Sequence, residues 1–165
     1  MRAEFINPFL TASYTVLNMV LGTFPTKGPI GAQTNGKTSH QINIVCGVTG
    51  ALHGQIILGM GQTTANQIAS MMSGQSLKLF DAFVASAIAE LGNMISGNAL
   101  MSLSDAGYVC DITPPTIVRG TSVEISTHQI PSICINLITD CGDLAVTVGL
   151  CEASSGANGR ITMAG

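Results

Sequence analysis

Charge is scarce in this sequence: Asp, Glu, Lys and Arg together make up 9% of its 165 residues, where a typical soluble domain carries about a quarter. The surface must therefore be built largely from small, uncharged polar side chains, a composition suited to meeting another subunit. The six Lys and Arg stand singly and the net charge is -3. No basic stripe follows a phosphate backbone, so nucleic-acid binding is not expected. Long apolar runs are missing too, since none approaches the roughly 18 residues of a membrane span. The opening residues, with Arg2, Glu4, Asn7 and Pro8 ahead of "FLTASYTVLNMVLG", offer no apolar region followed by a small-residue cleavage site. Neither a membrane helix nor a signal peptide is expected.

Catalytic signatures are equally sparse. The five cysteines are an odd set without a C-x-x-C pair, and read as reduced, structural thiols of a cytoplasmic protein. His40, His53 and His128 show no metal-ligand spacing among themselves or with the cysteines, so no metal site is expected. "GVTGALHG" and "GMGQTT" have neither the Gly-Lys-Ser/Thr of a P-loop nor a placed G-x-G-x-x-G, and read as turns. Without a G-x-S-x-G elbow, or a Ser or Cys tied to a His and an acid, covalent catalysis has no candidate.

What is present is a single α/β pattern of mixed α+β type, with one domain expected over residues 1–153 and a polar, glycine-rich tail over 154–165. A first helix is expected from Asn7-Pro8 to Leu21, capped by Gly22. A loop follows from Thr23 to Gly36, then a hairpin in "HQINIVCGVTGALHGQIILGM". A short helix starts at Thr63 or Thr64 and closes at Gly74. The longest helix runs from about Asp81 to Ala106, stopped by Gly107. The remaining strand-like pieces are "YVCDI", "TIVRG", "SVEIST", "SICINLITD" and "DLAVTVGLCE". In "DITPPTIVRG" the pair Pro114-Pro115 forces an extended or kinked chain.

"NMVLG" at Asn18 recurs as "NMISG" at Asn93, and Ala12 falls on Ala87 in the same register. This suggests two related halves, two long helices on one antiparallel-rich sheet with a pseudo-two-fold repeat. On the longest helix, Phe83, Ala87, Leu91, Met94, Ile95 and Met101 are expected to face the core. Glu90 and Asn93 are neighbours on another face, together with Ser86 and Gly97, and Gly92, Ser96, Ala85 and Ala89 form a strip for close approach. Taken alone, a Glu-x-x-Asn pair reads as the solvated side of an amphipathic helix, since that spacing is common.

"ASAIAELGNMISGNALMSL" followed by "DITPPTIVRG" resembles the CheX branch of the CheC/CheX/FliY phosphatases of bacterial chemotaxis, and the likeness covers all but about the last dozen residues. The resemblance implies an α/β domain with two long helices on a sheet, a homodimer, and removal of phosphate from the aspartyl phosphate of a CheY-like response regulator. It implies that Glu90 pairs with the regulator's active-site lysine and that Asn93 orients the attacking water. Ser86 and Gly97 would let the regulator settle close. The chain would bind no cofactor of its own, Mg2+ being held by the regulator. On the first helix Thr15 stands where the repeat places the acid, although Asn18 remains, so Thr15 and Asn18 are expected to mark a degenerate second site. The alternatives are a non-catalytic module that binds the phosphorylated regulator and a structural dimer that buries the Glu90 face.

Overall fold

The computed structural model describes residues 2–33, 37–38, 40–125 and 129–154. His128 and the tail from residue 155 onward lie outside them. In chain order the elements are α1 (Ala3–Leu21), β1 (Thr26–Gln33), β2 (Lys37–Thr38), β3 (Ile42–Gly50), β4 (Leu52–Met60), α2 (Gln62–Ser73), α3 (Ala82–Asp105), β5 (Cys110–Ile112), β6 (Thr116–Arg119), β7 (Val123–Glu124), β8 (Ser132–Thr139) and β9 (Gly142–Glu152). This is the expected mixed architecture, an antiparallel sheet with helices packed on it.

The sheet has seven strands in the order β1-β8-β9-β4-β3, with β5 and β6 sharing the far side of β3. All its pairings are antiparallel. The hairpin β3–β4 lies where the sequence places it, Ile42 opposite Met60 and Val48 opposite Gly54. Ile42, Ile44, Cys46 and Val48 alternate along β3 into the helical layer, each no more than 1% exposed, as the period of a half-covered strand requires. Along β9 the whole stretch 144–150 is buried, with Leu144, Val146, Val148 and Leu150 no more than 2% exposed. Thr113 to Pro115 oppose only Cys46 and Gly47, because Ile112 pairs with Val48 and Thr116 with Val45. The proline pair is thus the bulge that splits one edge into β5 and β6. Thr113 secures it, its backbone N–H donating to the Gly47 carbonyl at 2.9 Å and its hydroxyl accepting from the Gly47 N–H at 2.8 Å.

Three expectations about element limits change. α1 begins at Ala3, so Pro8 lies inside it. Burial of Phe5 and Ile6 draws the extra turn into helix. Arg2 fixes its start by pairing with Glu4 and Glu152 and lying over the Phe5 ring at 4.9 Å. α2 is capped by Gly61 rather than by Thr63 or Thr64. Thr64 is instead buried against the β8–β9 turn, where a side chain on Gly142 would come within 2.3 Å of its hydroxyl. The expected loop from Thr23 contains β1, an edge strand paired to β8 with a register break between Lys27 and Ile30. Its glycines and Pro29 suit a bulged edge, which needs fewer donors than an interior strand.

α1 packs beside α3, and the two run in opposite directions. Phe5 near the start of α1 meets Tyr108, just past the end of α3, edge to face at 5.2 Å. Among the described residues no helix is long and apolar enough to cross a membrane.

Candidate functional site

α3 is fixed in length and rotation before any chemistry enters. The Asp81 carboxylate accepts the Val84 N–H at 3.0 Å, an N-cap that sets the first turn. Gly107, at φ 93, lies just past its last turn. Val84, Ile88, Leu91, Ile95, Ala99 and Leu103 are completely buried. Gly92 allows the close approach to the sheet, since a Cβ there would stand 2.7 Å from Ile44 Cγ2. The expected small-residue contact is therefore real at Gly92, and Ser96 is buried beside it.

The core-facing stripe is not the expected one. Leu91 and Ile95 are buried, but Phe83 is 51% and Met101 70% exposed, with Ala87 and Met94 between these extremes. The branched side chains Val84, Ile88 and Ile95 bring a different side of the helix to the sheet, turned by about a quarter revolution. A signal was available: Phe83 and Met101 fall within about 20° of Glu90 on a helical wheel, so a stripe containing them also contained a carboxylate.

The opposite face carries the candidate residues. Ser86, Glu90 and Asn93 are exposed and Gly97 half-exposed, all on one side of α3. Ser86 turns its hydroxyl back to the Ala82 carbonyl at 3.0 Å, and Asn98 donates to the Met94 carbonyl at 2.7 Å. Glu90 and Asn93 do neither. Among the described residues the Glu90 carboxylate has no ion pair and the Asn93 carboxamide no hydrogen bond. Both stay available to an incoming molecule, one as an anion and the other as donor and acceptor together. Gly97 differs from Gly92, because a Cβ built on it meets nothing within 4 Å. Thr15 and Asn18 sit apart from this group on α1, Thr15 exposed and Asn18 partly buried, its carbonyl accepting the Gly22 N–H at 2.8 Å.

The cysteines are all free, with Cys46 buried on β3 and the other four partly exposed. Burial raises the Cys46 thiol pKa, so it stays a protonated core group. Cys151 Sγ lies 3.0 Å from His53 Nε2 across β4 and β9. Among the described residues no three His, Cys, Asp or Glu side chains gather as metal ligands.

Residues 42–137 match the family model described as chemotaxis phosphatase CheX. A protein of Thermotoga maritima described as CheY-P phosphatase CheX is 34% identical over 131 residues, 79% of this chain and 84% of that one. The crystal structure of a chemotaxis protein CheX from Desulfovibrio desulfuricans superposes with a TM-score of 0.80 at 28% identity, covering 91% of this chain and 99% of that one. A CheX-CheY-BeF3-Mg+2 complex from Borrelia burgdorferi contains a chain that superposes with a TM-score of 0.78 at 29% identity, covering 92% and 100%. With α3 and its open face among the matched residues, this chain belongs to the chemotaxis phosphatase CheX family.

Proposed function

We propose that this protein hydrolyses the aspartyl phosphate of a CheY-like response regulator, with Asn93 and Glu90 of α3 as the working side chains. Family membership supports the activity, since the Thermotoga relative is a CheY-P phosphatase. The Borrelia relative, in complex with CheY, supports the partner. The observation that carries the residue assignment is the unpaired, exposed Glu90 and Asn93 on a helix whose other side is locked into the core.

The reaction asks little of the helper. Water attacks phosphorus, the bond to the aspartyl oxygen breaks, and inorganic phosphate leaves a free carboxylate behind. The phosphoryl group sits in the regulator's own site, which supplies the Mg2+, so the gain comes from orienting the water. The Asn93 carboxamide oxygen accepts a hydrogen bond from that water and so orients it, while the amide N–H2 donates toward the phosphoryl oxygens. Glu90, about one helical turn away, takes the regulator's lysine and sets the register. Their bond strengthens as water leaves the interface. Ser86 and Gly97 keep the approach low. Thr15 and Asn18 lack the acid, leaving one working site per chain. The protein acts in the cytoplasm, as a homodimer.

The test is the decay of phosphorylated CheY-like regulators of the same organism with Mg2+, alone and with wild-type, Asn93→Ala or Glu90→Ala protein. Faster decay with wild type only is expected. A regulator that binds but keeps its own lifetime would make the protein a sink or adaptor.

A further inference from the structure

The open face of α3 holds more than its two polar side chains. Phe83 and Met101 stand on it, 51% and 70% exposed, with Ala87, Met94 and Gly97 partly covered between them. Positions 83, 87, 90, 94, 97 and 101 advance by alternate steps of four and three, the spacing of a helix seam that lies along another surface. An exposed phenylalanine and methionine at the two ends of that seam serve no contact of the fold's core.

Distances decide whether they belong to the site. At 1.5 Å per residue, Phe83 lies about 10 Å along the axis from Glu90, and Met101 about 12 Å from Asn93. A standard interface covers about 800 Å² on each partner and a small transient one about 600 Å². As round patches these have radii of about 16 and 14 Å. From the midpoint of Glu90 and Asn93, Phe83 lies about 13 Å and Met101 about 14 Å along the axis, so a partner of standard size centred there covers both and a small one reaches them at its margin.

We propose that Phe83 and Met101 are the apolar anchors that hold the regulator on α3, one at each end of the polar pair. This rests on the phosphatase reading above. The occupant is the receiver domain and not a second copy of this chain. α3 contains no Lys, Arg or His, so two copies meeting through this face would bury Glu90 without a cation from either helix. A receiver bringing a lysine leaves no such unpaired charge. Phe83 supplies rigid aromatic contact area, and phenylalanine is among the residue types enriched at interfaces relative to the rest of the surface. Met101 adapts to an uneven surface.

The experiment compares Phe83→Ser, Met101→Ser and the double variant with wild type, in turnover of the phosphorylated regulator and in binding of its beryllofluoride form. The double variant is expected to raise KM and Kd about tenfold or more while kcat stays within about twofold, the pattern of lost uniform binding. Phe83→Leu and Met101→Leu should restore most of the affinity. The loss should persist from about 0.05 to 0.5 M salt, because apolar contacts are not screened. Unchanged KM and Kd in the double variant would overturn the proposal, as would a fall in self-association mass with KM unchanged. If wild type binds the beryllofluoride form without speeding hydrolysis, the phosphatase reading fails and Kd alone decides on the anchors. If it binds no regulator, both fail.

Discussion

Gly92 and Gly97 stand five residues apart in α3 and answer to different partners. Gly92 faces the sheet, where a methyl group would press on Ile44, and Gly92→Ala should lower stability by about 1 to 3 kcal/mol in urea unfolding. Gly97 faces outward, where a methyl group would meet nothing within 4 Å. Gly97→Ala should therefore stabilise the fold by about 1 kcal/mol, a glycine in a helix being less favourable than alanine by that amount. It should nevertheless slow turnover, because the methyl group would lift the regulator away from Asn93. A variant both more stable and fully active would show that nothing docks there. For the polar pair, Asn93→Ala is expected to lower kcat about a hundredfold or more. Glu90→Gln should mainly raise KM, by about tenfold. Asn18→Ala should leave both constants unchanged, as a site without its acid would.

α3 also shows what a helix reveals in sequence and what it conceals. Its ends were legible because they depend on local chemistry: Asp81 caps the first turn and Gly107 follows the last. Its rotation was harder to read, because Phe83 and Met101 are as apolar as the residues that are buried and the signal against them was the Glu90 carboxylate on the same side. The choice falls to the close approach of Gly92 to Ile44 of β3 and to the burial of Val84, Ile88 and Ile95. Glu90 and Asn93 could be named from their spacing and the family resemblance, whereas their freedom from partners is visible only once neighbours are placed. β1 was hidden for the opposite reason, since Gly28, Pro29 and Gly31 read as a loop and become a strand by pairing with β8. The start of α1 likewise depends on Arg2 meeting Glu152, far away in sequence. The cap offers a check at this level. Asp81→Ala should cost about 1 kcal/mol of stability, with regulator turnover preserved when measured well below the melting temperature.

Stability should also respond to pH through His40, whose ring covers Gly59 so closely that a Cβ there would lie 2.5 Å from its Cδ2. Burial holds the His40 imidazole below its ordinary 6.5, against an opposing pull from Asp143. The folded protein thus takes up this proton less readily than the unfolded chain. The stability contributed is present above about pH 6.5 and is lost as pH falls through the lowered folded value. Urea midpoints measured from about pH 7.5 down to 5.5 should fall less steeply for His40→Gln than for wild type.

The two proline bulges bear on how the protein stays dispersed. A sheet edge exposes unpaired donors and acceptors on which another chain can grow, and proteins commonly blunt such edges with lysines or other charges. With only 9% charged residues, this chain has few to place there. Its edges are broken instead, at Pro29 on one side and at Pro114-Pro115 on the other, so that no regular edge run exceeds four residues, Ile30–Gln33 and Thr116–Arg119. Backbone kinks thereby give colloidal protection that electrostatic repulsion gives elsewhere, and concentrated solutions should stay clear even at high salt.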